Sequence, residues 1–375
     1  DWLGANVLHR VGYQQVPFHK AVDDEVQPIQ KTFIWEVVDE DGTAIKIGMF
    51  GAIVDSNPQD YVVYQDHTVE ALEACQELAL QTDVIVGLTH LDIEEDLKLA
   101  EKLPQVPLIM GGHDHHHMKH QVGNTIVAKA DANAKSAYVH TLYYDKHTKR
   151  SRVSSRLIKI DDSFSPDPEV AVTVQKWNAI LRNNIRKIFP QPNEIIYEAN
   201  EPLDGRENKI RTEQTSMGKM FTKAMTAAAQ TPVDCSIMNS GSVRIDDQLS
   251  GTITAFDIFR CLPYGGAIVE VEIKGHLLLK ILQEGRAKKG KGAYLQKDKV
   301  RFSQQKQRWV IDNQIIDPAA SYRVMITDYL LSGLDIVSLQ EDSEGLLQIN
   351  RPEVEDKTDL RRDIRIAIIN YLKNQ

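Results

Sequence analysis

Two short apolar runs with one helix between them constrain the fold of this chain more than any other feature. They are Asp83-Val-Ile-Val-Gly-Leu-Thr-His90 and Val106-Pro-Leu-Ile-Met-Gly-Gly112. Each is continuous and ends in glycine or a polar residue, as parallel strands buried on both faces do. Asp92 can cap a helix that runs to about Leu103, with Glu94 and Glu95 in its first turn. Lys98 and Lys102 follow, which suits the helix dipole, and Pro104 stops it. A third run, Ile45 to Val54, comes earlier, and a helix from roughly Thr68 to Gln81 separates it from the second. The pattern predicts β-α-β-α-β with parallel, neighbouring strands, so the fold class is α/β.

One core rarely serves more than roughly 250–300 residues, so a chain of 375 predicts two domains. Asp1-Trp-Leu-Gly-Ala-Asn-Val-Leu8 reads as the entry to a buried strand. Asn124 to Lys129 and Ala137 to Tyr144 alternate, and read as antiparallel strands finishing the first sheet. A polar stretch, Asp161 to Pro168, leads into a helix ending near Ile188, and Pro190-Gln-Pro192 follows. The division is therefore 1–163 for the first domain, 164–192 for a linking helix, and 193–375 for a separate α/β domain. In that last part, helices are expected at about Thr215–Ala229, Ala255–Cys261 and His276–Arg286. Strands are expected at Asp234–Met238, Ala267–Lys274 and Arg323–Thr327. Gly285 to Gly292 carries four Lys/Arg and reads as a mobile loop rather than a basic site.

A net charge of −9 argues against a nucleic-acid groove, which needs clustered Lys and Arg. It leaves room for a small phosphorylated ligand held by a local positive site. No run of about 18 apolar residues is present, so no transmembrane helix is expected. Cys75, Cys235 and Cys261 are far apart and form no CxxC pair. Buried free thiols are the reading.

The histidines fall where such a sheet binds ligands. His90 ends one run, and His113 and His115 follow Gly111-Gly112 at the end of the next. All three should lie at the carboxyl edge of adjacent parallel strands. Imidazoles there suit borderline divalent metals. The two glycines are expected to let the backbone turn sharply and bring both later histidines inward. His116, His117 and His120 make this loop His-rich in any case, so an exposed loop with adventitious metal affinity is the rival reading.

Gly87-Leu-Thr-His-Leu-Asp92, the helix, then Gly111-Gly-His-Asp-His115 resembles the last two metal motifs of the calcineurin-like metallophosphatases. It is most similar to their 5′-nucleotidase branch, which includes UDP-sugar hydrolases and 2′,3′-cyclic phosphodiesterases. The resemblance implies part of a metallophosphatase α/β/β/α sandwich. It also implies two divalent ions, zinc, manganese or similar, with His90 and His113 on one and His115 on the other. Asp114 stands where the family has a small polar residue. The family's earlier motifs are Asp-x-His, Gly-Asp and Gly-Asn-His-Glu/Asp, and none occurs upstream of His90. The expectation is a chain that begins after the family's first third, without its catalytic His, and inactive alone.

Three later segments follow in order: Arg211-Thr-Glu-Gln-Thr-Ser-Met-Gly218, Asn239-Ser-Gly-Ser-Val-Arg244 and Leu262-Pro-Tyr-Gly-Gly266. Two arginines can clamp a phosphate bidentately. Asn239 and the turn backbone can bind ribose or phosphate oxygens, and Tyr264 can offer a flat face to a base. Together they resemble the C-terminal domain of 5′-nucleotidases, which implies Arg211, Asn239, Gly241, Arg244 and Tyr264 as nucleotide contacts. Tyr264 replaces the family's Phe. Where the family reads Gly-Gly-Asp-Gly-Phe/Tyr, this chain has Leu334 for a Gly and Val337 for the aromatic that closes on the base. The function implied is two-metal hydrolysis of a phosphate monoester, a nucleotide above others. A cyclic-nucleotide or nucleotide-sugar phosphodiesterase is the alternative enzyme, and a non-catalytic binding protein derived from the family is the alternative of another class. The partner expected is a small phosphate ester, not nucleic acid. Localisation by resemblance leans to the periplasm or the cell exterior.

Overall fold

The computed structural model describes residues 2–22, 25–55, 59–353 and 355–375. Its contacts divide the chain into two compact units, residues 1–167 and 168–375.

In the first unit a six-stranded sheet runs in the order Met118–Val122, Thr125–Lys129, Leu108–Gly111, Val84–His90, Ala44–Ile53, Thr32–Val38. Ala44–Ile53, Val84–His90 and Leu108–Gly111 are mutually parallel neighbours, as the apolar runs predict. Two helices lie between them in sequence. His67–Ala79 is capped by Asp66, which accepts from the Thr68 and Val69 amides. Ile93–Lys102 is capped by Asp92, with Glu95 reaching back to close a capping box. Both helices bury their apolar faces against one side of the sheet, over Phe50, Ile85, Ile109 and Val127.

Two strand expectations change. Thr125–Lys129 pairs antiparallel with Met118–Val122 but parallel with Leu108–Gly111. The hairpin turns at Gly123, whose φ of +56° only glycine adopts freely, and the returning strand inserts between its partner and Leu108–Gly111. Ser136–Asp145 does not extend this sheet; it pairs with Arg150–Lys159 as a separate two-stranded ribbon. Alternating exposure describes either arrangement, so the sequence pattern could not tell them apart. Near the N-terminus the strand is Val7–Val11 and half-exposed rather than buried. The buried anchor is Asn6, whose amide bonds both the N–H and the C=O of Ile53. Asp1, where that expectation begins, lies outside the described residues.

The second unit opens on helix Pro168–Ile188, of which only Ile185 is buried. Its main sheet has five strands, in the order Leu295–Asp298, Cys235–Asn239, Ser321–Thr327, Ile268–Lys274, Leu346–Asn350. Period-two alternation sends neighbours to opposite faces. Met238, Ile268 and Met325 join a core with helices Ser216–Ala227 and Ile364–Lys373. Ile237, Val269 and Val324 join a second core with helix Gly275–Ala287. That helix includes Arg286, so the expected basic loop begins only after Ala287. Each of the three apolar cores holds one cysteine: Cys75, Cys261 and Cys235. All three thiols are free and buried, and burial pushes Cys75 and Cys261 up to about 12. Among the described residues no helix is long and apolar enough to cross a membrane.

Candidate functional site

The register Thr89 to Gly111 sets His90 and Gly112 side by side at one edge of the first sheet. The Gly112 amide donates to the Thr89 carbonyl at 2.9 Å. A Cβ on Gly112 would lie 3.0 Å from His90 Nδ1, and one on Gly111 would lie 2.8 Å from Lys129 Cε. The glycine pair therefore supplies space, not the turn. The turn falls on His113 and His115 themselves, at φ +78° and +59°. Left-handed backbone at a non-glycine residue costs about 1–3 kcal/mol and clusters at functional sites.

The rings of His90 and His113 meet edge to face, with centroids 5.2 Å apart. Burial, then the charges of His113 and His115, push the His90 imidazole below its ordinary pKa. It stays neutral at pH 7, the form that ligates metal. His113 Nε2 lies 3.2 Å from the Asp92 carboxylate. With its proton there, the lone pair of His113 sits on Nδ1, the arrangement that orients a metal-ligating histidine. His117 pairs instead with Asp131 at 3.0 Å. His116 Nδ1 contacts the Asp114 carbonyl at 2.7 Å.

Below this edge lies a feature that the sequence did not reveal. Lys129 is 1% exposed. Its ammonium meets Asp96 at 2.8 Å and Asp114 at 2.5 Å, and donates to the Leu91 carbonyl at 2.6 Å. Asp114, the departure from the family pattern, thus ties the His113–His115 loop to a buried cation. The Gly111 position without a Cβ is what admits that lysine.

The three segments of the second unit resolve into different roles. Thr215 caps helix Ser216–Ala227 by accepting from the Gly218 amide. Gly218 must be glycine, because Gln296 Oε1 would lie 2.0 Å from a Cβ there. The buried Gln296 amide in turn accepts from the Thr215 N–H and donates to the carbonyls of Ile210 and Glu213. Arg211 forms an ion pair with Glu207. Gly241 packs on Gly292 and donates to its carbonyl at 2.8 Å. The Ser240, Val243 and Arg244 amides are also bonded within the unit, so this part of the turn backbone is already committed.

What does gather is a smaller group. Asn239 donates to Asp335 at 2.8 Å and accepts from Ser242 at 2.7 Å. The Arg244 guanidinium lies 5.7 Å from the Tyr264 ring centroid. Gly265 and Gly266, at φ +64° and +105°, turn the chain so that Tyr264 is 76% exposed. Burial, then the Asp335 charge, pushes the Tyr329 hydroxyl up, while Arg244 pulls it down. Leu334 and Val337 stand exposed nearby in sequence to Asp335. Tyr329 and Asp335 were missed as site residues; the family motif around Asp335 was the signal for the second.

Residues 195–341 match the family model of the 5′-nucleotidase C-terminal domain. The trifunctional nucleotide phosphoesterase protein YfkN of Bacillus subtilis is 26% identical over 284 residues, 69% of this chain and 18% of YfkN. The 5′-nucleotidase of Bos taurus is 24% identical over 276 residues, 64% of this chain and 46% of that enzyme. The chain thus spans less than half the length of these relatives. A solved 5′-nucleotidase precursor from Thermus thermophilus shares the fold, with a TM-score of 0.68 at 21% identity over 99% of this chain and 75% of that one. The resemblance to 5′-nucleotidases holds for sequence and for fold.

Proposed function

We propose that this chain serves metal-dependent hydrolysis of a phosphate ester, a nucleotide above other esters. The observation that carries the reading is the meeting of His90 and His113 at one sheet edge, with the His115 charge felt at His90. The donor set fits divalent zinc or manganese: imidazoles, one held neutral and one oriented by Asp92. His90 and His113 would hold one ion and His115 would contribute to a second. Such ions supply Lewis acidity toward phosphoryl oxygens and lower the pKa of water. The chain's own part is to hold those rings. Gly112 gives His90 room, Asp92 fixes the His113 tautomer, and Lys129 with Asp114 fixes the loop between His113 and His115.

In the second unit Arg244 provides a phosphate-binding fork beside the exposed Tyr264 face. Asp335, held by Asn239, is an acceptor suited to ribose hydroxyls. Arg211 is the weaker candidate, since Glu207 already neutralises it, and Gly241 serves packing. With Val337 in place of an aromatic, a base stacks on one side only. Val337→Phe should tighten AMP binding by about 1–3 kcal/mol, read by calorimetry.

The test of the metal site is titration of Zn²⁺ or Mn²⁺ into the chain and into His90→Ala/His113→Ala. Ion binding should fall at least about tenfold in the double variant. Unchanged binding would overturn the histidine assignment. A panel of AMP, a 2′,3′-cyclic nucleotide, a UDP-sugar and p-nitrophenyl phosphate, given to the natural protein, decides the ester class.

A further inference from the structure

The second unit holds a cavity of about 740 Å³ between the end of helix Gly275–Ala287, strand Leu295–Asp298 and the antiparallel meander Val300–Ser303, Arg308–Ile311, Gln314–Ile315. None of Asn239, Arg244, Tyr264 or Asp335 lines it. Six cations do: Lys219, Arg286, Lys289, Lys297, Lys299 and Arg301. Only two carboxylates, Asp298 and Asp312, share the lining, and Asp298 already accepts from the Thr226 hydroxyl. Among the described residues none of the six cations is ion-paired. Six unpaired cations at one place stand out in a chain of net charge −9.

Two of these cations lie over aromatic rings. Lys297 Nζ lies over the Tyr294 ring at 5.1 Å and donates to the Leu295 carbonyl. Arg286 lies 3.8 Å from the Phe302 ring centroid. Phe302 meets Trp309 edge to face at 5.5 Å, and the buried Trp309 Nε1 has no hydrogen-bond partner among the described residues. Burial, then the Arg286 charge, pushes the Lys297 ammonium down to about 8. Like charges held together in a partly dry site are stabilised by an anion.

We propose that this cavity is a binding site for a short phosphate chain, a diphosphate or triphosphate, separate from the Arg244 and Tyr264 group. The excess of four positive charges matches the charge of such a chain. Arginine and lysine are the side chains that bind phosphate, the first through its bidentate fork. Arg286 and Lys297 already lie over the Phe302 and Tyr294 rings, and Trp309 is buried, so the lining groups most open to a ligand are the cations. Recognition is therefore of the phosphates. The site would take them free or as the phosphate end of a nucleoside di- or triphosphate.

The test uses the full chain in metal-free buffer at low salt. Inorganic tripolyphosphate is titrated by calorimetry into wild type, Arg286→Gln/Lys297→Gln, Lys289→Glu/Arg301→Glu and Arg244→Gln. The second pair changes exposed residues and guards against misfolding of the first. Saturable binding should weaken at least tenfold in both pocket variants, persist in Arg244→Gln and fall as salt rises. ADP and pyrophosphate are then compared in Arg244→Gln, and comparable affinity supports phosphate-chain recognition. No saturable binding, binding that survives both pocket variants, or ADP binding more than tenfold tighter than pyrophosphate would overturn the proposal.

Discussion

Lys129 and Lys297 are lysines on sheet strands, both withdrawn from water, and the two units treat them in opposite ways. Lys129 meets two carboxylates and a carbonyl within 2.8 Å. Lys297 meets one carbonyl, a ring face and the field of another cation. A buried charge is tolerated only when it is paired or hydrogen-bonded. The Lys129 site satisfies that rule from within and so stiffens the histidine loop. The Lys297 site does not, and the difference separates a structural ion pair from a place built to receive an anion.

The largest expected effect tests the paired side of this contrast. Lys129→Met leaves Asp96, itself fully buried, without its cation, and should cost the first unit about 3–5 kcal/mol. Urea unfolding followed by circular dichroism measures it. A loss below about 1 kcal/mol would show that Asp96 folds protonated, since burial already pushes its carboxyl up, and the contrast would collapse.

Lys297→Met should act with the opposite sign. The folded-state pKa of about 8 lies below the ordinary 10.5. Below pH 8 the ammonium is charged in both states, and the folded chain bears the whole burden. As pH rises from about 8 toward 10.5 the folded chain releases its proton while the unfolded chain keeps it, so stability rises. Each pH unit between those values is worth about 1.4 kcal/mol, so Lys297→Met should stabilise the chain at pH 7 by up to about 3 kcal/mol. It should also flatten the alkaline rise relative to wild type. Destabilisation at pH 7 would mean that Lys297 is satisfied after all.

Arg286→Gln is the finest probe. Removing the neighbouring charge should move the alkaline rise to higher pH and stabilise the chain by about 1 kcal/mol or less. A rise that does not move would assign the low Lys297 pKa to burial alone.

The parts of the site that were legible in the sequence are those whose logic is local. A strand-end histidine, a capped helix and a second strand end fix one edge of a parallel sheet. Helix Pro168–Ile188 is equally local, since its proline start and Pro-x-Pro stop adjoin it. Less legible was why a glycine is a glycine. Gly111, Gly112 and Gly218 exist to clear space for Lys129, His90 and Gln296, and nothing beside them in sequence reports that need. The basic cavity was hidden for a related reason. Only Arg286 and Lys289 of its six cations belong to the segment Gly285–Gly292, and the others arrive from a different helix, two strands and the turn between those strands. Charge counted along the chain made that segment look like solvent-facing loop.

The distribution of cysteines has a practical consequence. One cysteine sulfur sits in each apolar core, and none is a thiolate at neutral pH. A thiol reagent can then reach each sulfur only when its own core opens, so the three labelling rates time three separate openings. Peptide mapping after short exposure would rank the two faces of the five-stranded sheet against each other and against the histidine-bearing sheet. Lys129→Met should accelerate Cys75 alone.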